Sequence, residues 1–518
     1  MKKTAVVYDK WLSSLGGGEV VACNIAKTLI ENGYETTFIS GHKVDPNLII
    51  EKLGIDISKA KFLVIWNDEI KIKKITKGKD IFVNASFMDY TTGSAKKNIF
   101  YTSFPTPPFN GIKGKILINI IIPILLFFVK SREDLTPEKD EIFRYGHSLK
   151  KINQDKKIAF SELNTKNKYH LKWIFFLENF SKSNLQSISW NTENAILEKE
   201  IIKVDHFHNT IKIHQIIRPL SNTCYLSINN KDKNDILFLI EPKILSCNFI
   251  DFYSQSFYYK LNNRLRAGIF GNLIERMRSF DIVFANSKFT QKWIKNYWKR
   301  DSIVLYPPTP FVGINSKIKK QNKICSVGRF FTLGHSKKQE IMIEAFKKMV
   351  DSGLKGWELH LAGGLGNEPS SIEFAQKIQK SASKYPIYFH FNQSRKFIEE
   401  LYQSSKIYWH AAGFGENEQK NPIKFEHFGI TPIEAMSGGC VPVVYNGGGL
   451  PDSIYAIGLD SSKHIFNSID ELCQKTKKII SNPKYIKQFS SIEYLDNIKK
   501  SFSADKFIND FWDYLKSK

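Results

Sequence analysis

Two stretches of this chain alternate short apolar runs with helix-period patterns, and that alternation limits the fold more than any other feature. In the first hundred residues TAVVYD, ETTFIS, KFLVIW, DIFVNAS and KNIFYTSF read as strands. The segment Glu19–Asn32 reads as a helix, apolar at Val20, Val21, Ile25, Leu29 and Ile30 and stopped by Gly33. The texture returns at Phe280 with the strand DIVFANS and the helix SKFTQKWIKNYW. A second unit opens near Lys319: NKICSVGRF, the helix QEIMIEAFKKMVDSG, then WELHLAGG, IYFHF, IYWHAAG, VPVVYN and HIFN. Strands separated by helices call for βαβ units and parallel sheets. Two such doubly wound units bind ligand in the cleft between them, at the carboxyl ends of the strands.

From about Ser131 to Ile250 the pattern changes to β-rich runs, among them YHLKWIFFL, HNTIKIHQII and DILFLIEPKI, divided by polar clusters such as NNKDKND at 229–235. This predicts an antiparallel module inserted into an α/β unit. His206, His208 and His214 lie in it, but no neighbouring Cys, Asp or Glu cluster completes a ligand set, so no metal is expected there. The expected division is therefore 1–130 and 251–318 for an N-terminal Rossmann-like domain, 131–250 for the insertion, and 319–490 for a C-terminal ligand-binding domain of the same doubly wound kind. Residues 491–518 end in an amphipathic helix, with Phe507, Ile508, Phe511 and Leu515 on one side, expected to pack back on the N-terminal domain.

Lys and Arg total 75 against 51 Asp and Glu in 518 residues, a formal charge of +24. Such a surplus suits a phosphate-bearing partner: a nucleotide, an anionic membrane surface or a nucleic acid. The lysines are spread along the chain without a clustered, aromatic-laced basic segment, so no specific nucleic-acid partner is expected. The six cysteines have no metal or disulfide spacing, which favours a reducing compartment. The start MKKTAVVYDKW has too short an apolar run for a signal peptide. The apolar run Ile116–Val129, 14 residues broken by Asn119 and Pro123, falls short of the roughly 20 a membrane span needs. The expected location is cytoplasmic, with peripheral contact at the inner membrane face.

The segment FEHFGITPIEAMSGGCVPVVYNGGGLP, 425–451, carries the chemistry. Seven residues separate Glu426 from Glu434, and HFGITP between them reads as a loop turning into a helix with Pro432 in its first turn. A helix N-terminus offers unpaired N–H groups and about half a positive charge, which suits phosphate. Gly429, Ile430 and Thr431 are placed to present those amides, Glu434 to accept from the hydroxyls of a ribose, and Glu426 to lie toward the other end of the ligand.

This E-x7-E segment with its VPVV strand resembles the retaining GT-B glycosyltransferases of family four. HFGITPIEAM is especially similar to the branch of lipid-linked oligosaccharide mannosyltransferases. The resemblance covers about residues 1–110 and 255–518. It implies two Rossmann-like domains facing a cleft, a nucleotide diphosphate sugar held mainly by the C-terminal one, retention at the anomeric carbon, and no cofactor or metal. It further implies that Glu434 binds the donor ribose and that Glu426 lies by the sugar ring. SVGRFFTLGHSKKQ, 326–339, resembles the segment whose Arg and Lys grip the donor diphosphate: Arg329 and Lys337 match, with Lys338 as the fallback. LSSLGGGEVVACNIA, 12–26, resembles the N-domain glycine loop, with Gly16, Gly17 and Gly18 as donor- or acceptor-facing backbone and Glu19 opening the next helix.

Neither G-x-G-x-x-G nor GxxxxGK[ST] occurs, and the absence of D-x-D argues against a metal-dependent GT-A enzyme. Where many relatives carry an N-domain His, this chain aligns Ser103, leaving His42, His335 and His410 as other candidates. WHAAGFGENE, 409–418, is expected to line the nucleotide side through backbone at Gly413 and Gly415. The expected activity is transfer of a sugar from a nucleotide diphosphate to an acceptor hydroxyl on a glycan or lipid-linked acceptor. The rival reading, motivated by Ser103 and the insertion, is a catalytically degenerate GT-B protein that binds sugar nucleotide or glycan.

Overall fold

The structure is a computed structural model that describes residues 2–65, 68–108, 150–152, 156–161, 163–177, 188–205, 210–230, 237–246, 273–332, 336–366 and 369–516. The apolar run 116–129, His206, His208 and His335 lie outside the described residues.

The first five strands are β1 (Thr4–Asp9), β2 (Glu35–Ser40), β3 (Lys61–Val64), β4 (Ile81–Asn84) and β5 (Lys97–Thr102). The antiparallel stretch follows as β6 (Lys150–Ile152), β7 (Lys156–Phe160), β8 (Tyr169–Leu177), β9 (Ile188–Glu193), β10 (Ala195–Asp205), β11 (Thr210–Pro219), β12 (Cys224–Asn230) and β13 (Leu237–Ser246). Then come β14 (Ile282–Ala285) and β15 (Ile303–Val304). The last six are β16 (Gln321–Val327), β17 (Glu358–Gly363), β18 (Ile387–Phe391), β19 (Ser405–His410), β20 (Val441–Tyr445) and β21 (Ile465–Phe466).

β1 to β5 join β14 and β15 in one parallel sheet, ordered β15-β14-β5-β4-β1-β2-β3. A strand buried on both faces must be apolar throughout. The middle of Thr4–Asp9 meets this demand: Ala5 and Val7 join the core on one side, Val6 and Tyr8 the core on the other. The helix Gly17–Glu31 follows β1, its start fixed by the Glu19 carboxylate accepting from the Gly16 N–H at 2.7 Å. It lays Val21, Ala22, Ile25, Ala26 and Leu29 on the sheet. Each of the Val, Ile and Leu side chains contributes about 1.5–3 kcal/mol of burial. The segment between β5 and β14 forms an antiparallel five-stranded sheet, β10-β11-β8-β13-β6, and a three-stranded one, β7-β12-β9. Leu171, Trp173, Ile213, Ile217, Leu226 and Ile228 lie in its core.

The second parallel sheet runs β18-β17-β16-β19-β20-β21. Both parallel sheets wind outward from their first strand in two directions, so each has a switch point: between β1 and β4, and between β16 and β19. A doubly wound sheet leaves a crevice at the carboxyl ends beside that point. The chain therefore places the Gly16–Gly18 loop at one crevice and the residues after Val327 and at His410 at the other.

Contacts between the lobes are specific. The Phe104 ring stacks on His427 at 4.1 Å and 11°, and the Ser287 hydroxyl donates to the His427 carbonyl. The helix Lys288–Trp298 starts against Asp452, which accepts from the Lys288 N–H. The final helix, Ala504–Lys516, buries Phe507, Phe511 and Leu515 in the core of the first sheet. Among the described residues no helix is long and apolar enough to cross a membrane.

Burial pushes the Asp452 carboxyl up to about 6, against the pull of Lys288 and its N–H. A carboxyl raised on folding binds more protons folded than unfolded, so its ionisation weakens the fold as pH rises from about 4 to about 6. Asp452→Asn keeps an acceptor for Lys288 and should flatten that part of the stability curve. Urea unfolding from pH 4 to 7 measures it, and an unchanged slope contradicts the assignment.

Candidate active site

The candidate site is assembled from loops at the carboxyl ends of β16 and β19. Past Val327 the chain crosses Gly328, where an added Cβ would stand 2.5 Å from Lys337 Cγ. The missing side chain lets the Lys337 stem lie across the strand end. From there the Lys337 ammonium pairs with Glu426 Oε2, the two side chains being 14% and 15% exposed. His410, the last residue of β19, brings its Nε2 to 3.2 Å from the same oxygen. Burial alone would raise the Glu426 carboxyl; Lys337 and the His410 hydrogen bond outweigh it and hold it well below the usual range. Burial lowers His410 despite Glu426, so the ring is neutral. A neutral ring donates from one nitrogen only. With Nε2–H on Glu426, Nδ1 accepts from the Tyr408 hydroxyl at 3.0 Å. The Thr431 hydroxyl lies 2.8 Å from Tyr408, which extends the chain into the next helix. The tautomer is inferred from this network.

That helix spans Ile430–Ser437, opening directly after Gly429 at φ +94°. Its N–H groups at Ile430 and Thr431 belong to the first turn, where no intrahelical acceptor exists. The loop before it is pinned by the Gly447–Gly449 turn, whose Gly449 N–H donates to the Glu426 carbonyl at 2.7 Å. Gly448, at φ +64°, passes so close to that carbonyl that a Cβ would lie 2.2 Å away. Only glycine fits both the conformation and the approach.

Glu434 falls in the second turn and is 5% exposed. Its Oε1 accepts from Arg395 Nη1 at 2.5 Å and its Oε2 lies 3.4 Å from the Tyr402 hydroxyl. Burial raises its carboxyl, with Arg395 pulling the other way. From the N-terminal lobe, Gly17 reaches this helix: a Cβ there would touch Ile430 Cδ1 at 3.3 Å. Gly16 caps its own helix, and Gly18 faces open space within 4 Å.

The residues expected from sequence are thus not all in one place. Lys337, Glu426, Gly429, Ile430 and Thr431 come together, with Gly17 opposite. Glu434 sits one turn along the helix with a partner of its own. Arg329 is exposed, its guanidinium over the Phe331 ring at 5.3 Å, and makes no ion pair with a described residue. Lys338 is tied to Glu416 at 2.9 Å, and Glu416 also holds Lys424 at 3.0 Å. Of the histidine candidates, His410 joins Glu426. The Ser103 carbonyl accepts from Thr290, beside the Phe104–His427 stack. Sequence reading missed Tyr408 and Arg395. Tyr408 shares a strand face with His410 at period two, a signal the run IYWH carried; Arg395 lies 39 residues from Glu434 and gave none.

Comparison with known proteins places this geometry. Residues 312–494 match the family model of glycosyl transferases group 1, so the chain carries that domain. A Xenopus laevis GDP-Man:Man(3)GlcNAc(2)-PP-Dol alpha-1,2-mannosyltransferase is 31% identical over 183 residues, covering 33% of this chain and 35% of the relative. The Dictyostelium discoideum protein of the same name is 21% identical over 333 residues, covering 59% and 61%. The chain thus spans less than two thirds of the length of these relatives. A Rickettsia africae glycosyltransferase crystal structure superposes with a TM-score of 0.50 at 12% identity, covering 100% of this chain and 98% of the other. The Anabaena HepE structure with UDP gives 0.50 at 12% identity, covering 100% of both. At that identity the likeness speaks for the GT-B fold alone.

Proposed function

We propose that the chain is a retaining glycosyltransferase that moves a sugar from a nucleotide diphosphate sugar to an acceptor hydroxyl, in synthesis of a glycan, polysaccharide or glycolipid. The observation that carries the reading is the cluster of Lys337, Glu426 and His410 beside the N-terminus of the helix Ile430–Ser437, with the N-terminal glycine loop against it. As the glycosidic bond breaks, the leaving diphosphate gains negative charge. Lys337 and the first-turn amides are the fixed groups assigned to that charge, since positive groups held in a partly dry cleft act most strongly in the transition state. Arg329, exposed over Phe331, is assigned to it as the second cation. Glu426, kept ionised by Lys337, orients the sugar or offsets positive charge developing on its ring. Retention, which comes from the resemblance, fits front-face substitution: the leaving phosphate oxygen takes the acceptor proton while the protein positions the reactants. No resident metal is part of this scheme.

The test is transfer from UDP-, GDP- and ADP-sugars to a broad set of acceptors with the full chain. Tight donor binding without product across that set overturns the reading in favour of a binding protein.

The +24 charge and the dolichol-linked substrates named for the relatives support a lipid-linked acceptor reached at an anionic, cytoplasmic membrane face. Each basic residue near such a surface contributes about 1 kcal/mol. The protein should float with anionic liposomes at low salt and be released by high salt; no flotation at low salt contradicts this.

A further inference from the structure

Glu434 is engaged by a side chain that no motif pointed to. The Arg395 guanidinium donates from Nη1 to Glu434 at 2.5 Å and from Nε to Glu399 at 2.8 Å. Two carboxylates on different helices therefore hold it in one orientation. Arg395 opens the helix Arg395–Ser404, just past the carboxyl end of β18, and its side chain remains 47% exposed although Glu434 is buried. A guanidinium has five N–H donors and no acceptor. Two are used here, and among the described residues the others have no partner. Glu434 retains acceptor capacity for ribose hydroxyls, since a carboxylate offers about four lone-pair sites.

Resting on the donor-site reading above, we infer that Arg395 is the residue that reads the nucleotide base, selecting a base with a carbonyl group, uracil or guanine, over adenine. A ribose on Glu434 puts its base beside the open edge of this guanidinium. Carbonyl oxygens of uracil or guanine accept from that edge. Adenine also has ring-nitrogen acceptors, but it carries an amino donor where guanine carries its carbonyl oxygen. A guanidinium aimed at that exocyclic position meets donor with donor, which such a site discriminates against. Lysine cannot replace the arrangement, because a single ammonium cannot hold two carboxylates and still present a planar fork.

The experiment is equilibrium binding of UDP, GDP and ADP, by calorimetry, to the full chain and to Arg395→Ala and Arg395→Lys. Because Arg395→Ala strips the partner from a buried carboxylate, Arg395→Ala/Glu434→Gln serves as the folded control for that variant. The wild type should bind UDP or GDP at least about 10-fold tighter than ADP, the preferred arm identifying the base. The Arg395 variants should bring ADP to within about 3-fold of it. Equal binding of all three by the wild type overturns the inference, as does an unchanged ranking in the variants. Absence of binding by any of the three overturns the donor-site reading itself, and with it this inference.

Discussion

Lys337→Ala is expected to lower kcat/KM by about 10²–10³-fold, the size of effect seen when one preorganised charge-stabilising group is removed from an active site. The side chain has two connected tasks. In the proposed reaction it faces the leaving diphosphate, and in the structure it is the cation paired with Glu426. Without it, burial is opposed only by a neutral His410, and the Glu426 carboxyl should rise. A raised carboxyl stays protonated to higher pH, so the acid limb of the pH–rate profile should move up in Lys337→Ala and recover partly in alkali. Glu426→Gln cannot ionise and should lose that limb altogether. Arg329→Ala should also reduce turnover, without the pH signature, because Arg329 makes no ion pair with Glu426. Near-normal kinetics in both cation variants would refute the diphosphate assignment. Glu434→Ala should chiefly weaken donor binding and Glu426→Ala chiefly slow transfer; the reverse pattern exchanges their roles.

Much of this site was legible in the sequence because local rules build it. Gly429, Pro432 and the Gly438–Gly439 stop mark the helix in the order a helix requires, and the helix runs Ile430–Ser437. The alternation of Ala5, Val6, Val7 and Tyr8 into two cores follows from a parallel strand covered on both sides. The resemblance implied Lys337 for the diphosphate and Glu426 for the sugar ring but not their ion pair, since 89 residues separate them and no local pattern links such positions. Arg395 and Lys320 were illegible for the same reason. Each is one cation in a Lys- and Arg-rich chain, and its role depends on which carbonyls or carboxylates the two windings of the second sheet bring beside it. The Lys338–Glu416–Lys424 cluster shows the converse: a nearby cation of the right type lies bound in an ion-pair network of its own.

Lys320→Met should cost about 3 kcal/mol of stability in the C-terminal lobe, a fall of about 6–12 °C in Tm for a domain of this size. The Lys320 ammonium donates to the carbonyls of Tyr402 at 2.9 Å, Ser405 at 2.6 Å and Gly438 at 2.7 Å. Tyr402 lies near the end of the helix Arg395–Ser404, and Gly438 ends Ile430–Ser437. One buried cation thus closes the carboxyl ends of both helices, where backbone carbonyls lack partners and the helix dipole is negative. Those are the helices that carry Arg395 and Glu434. Burial lowers the Lys320 pKa, so its solvation cost is real, and replacing a buried charge with an apolar group is neutral or stabilising where that cost exceeds the hydrogen bonds made. Three carbonyls at hydrogen-bonding distance decide the balance here, because methionine would take this donor from all three, the Cys440 thiol lying near two of them. Arginine is no substitute: an added Cβ at Gly439 would already lie 3.2 Å from Lys320 Cε, so the space fits an ammonium stem. Thermal and urea unfolding of Lys320→Met decide the point. Equal or greater stability would mean that Lys320 is tolerated in this position and does not hold the two helices there. A loss of stability with weaker UDP or GDP binding would show that the same cation keeps Glu434 and Arg395 at their working distance.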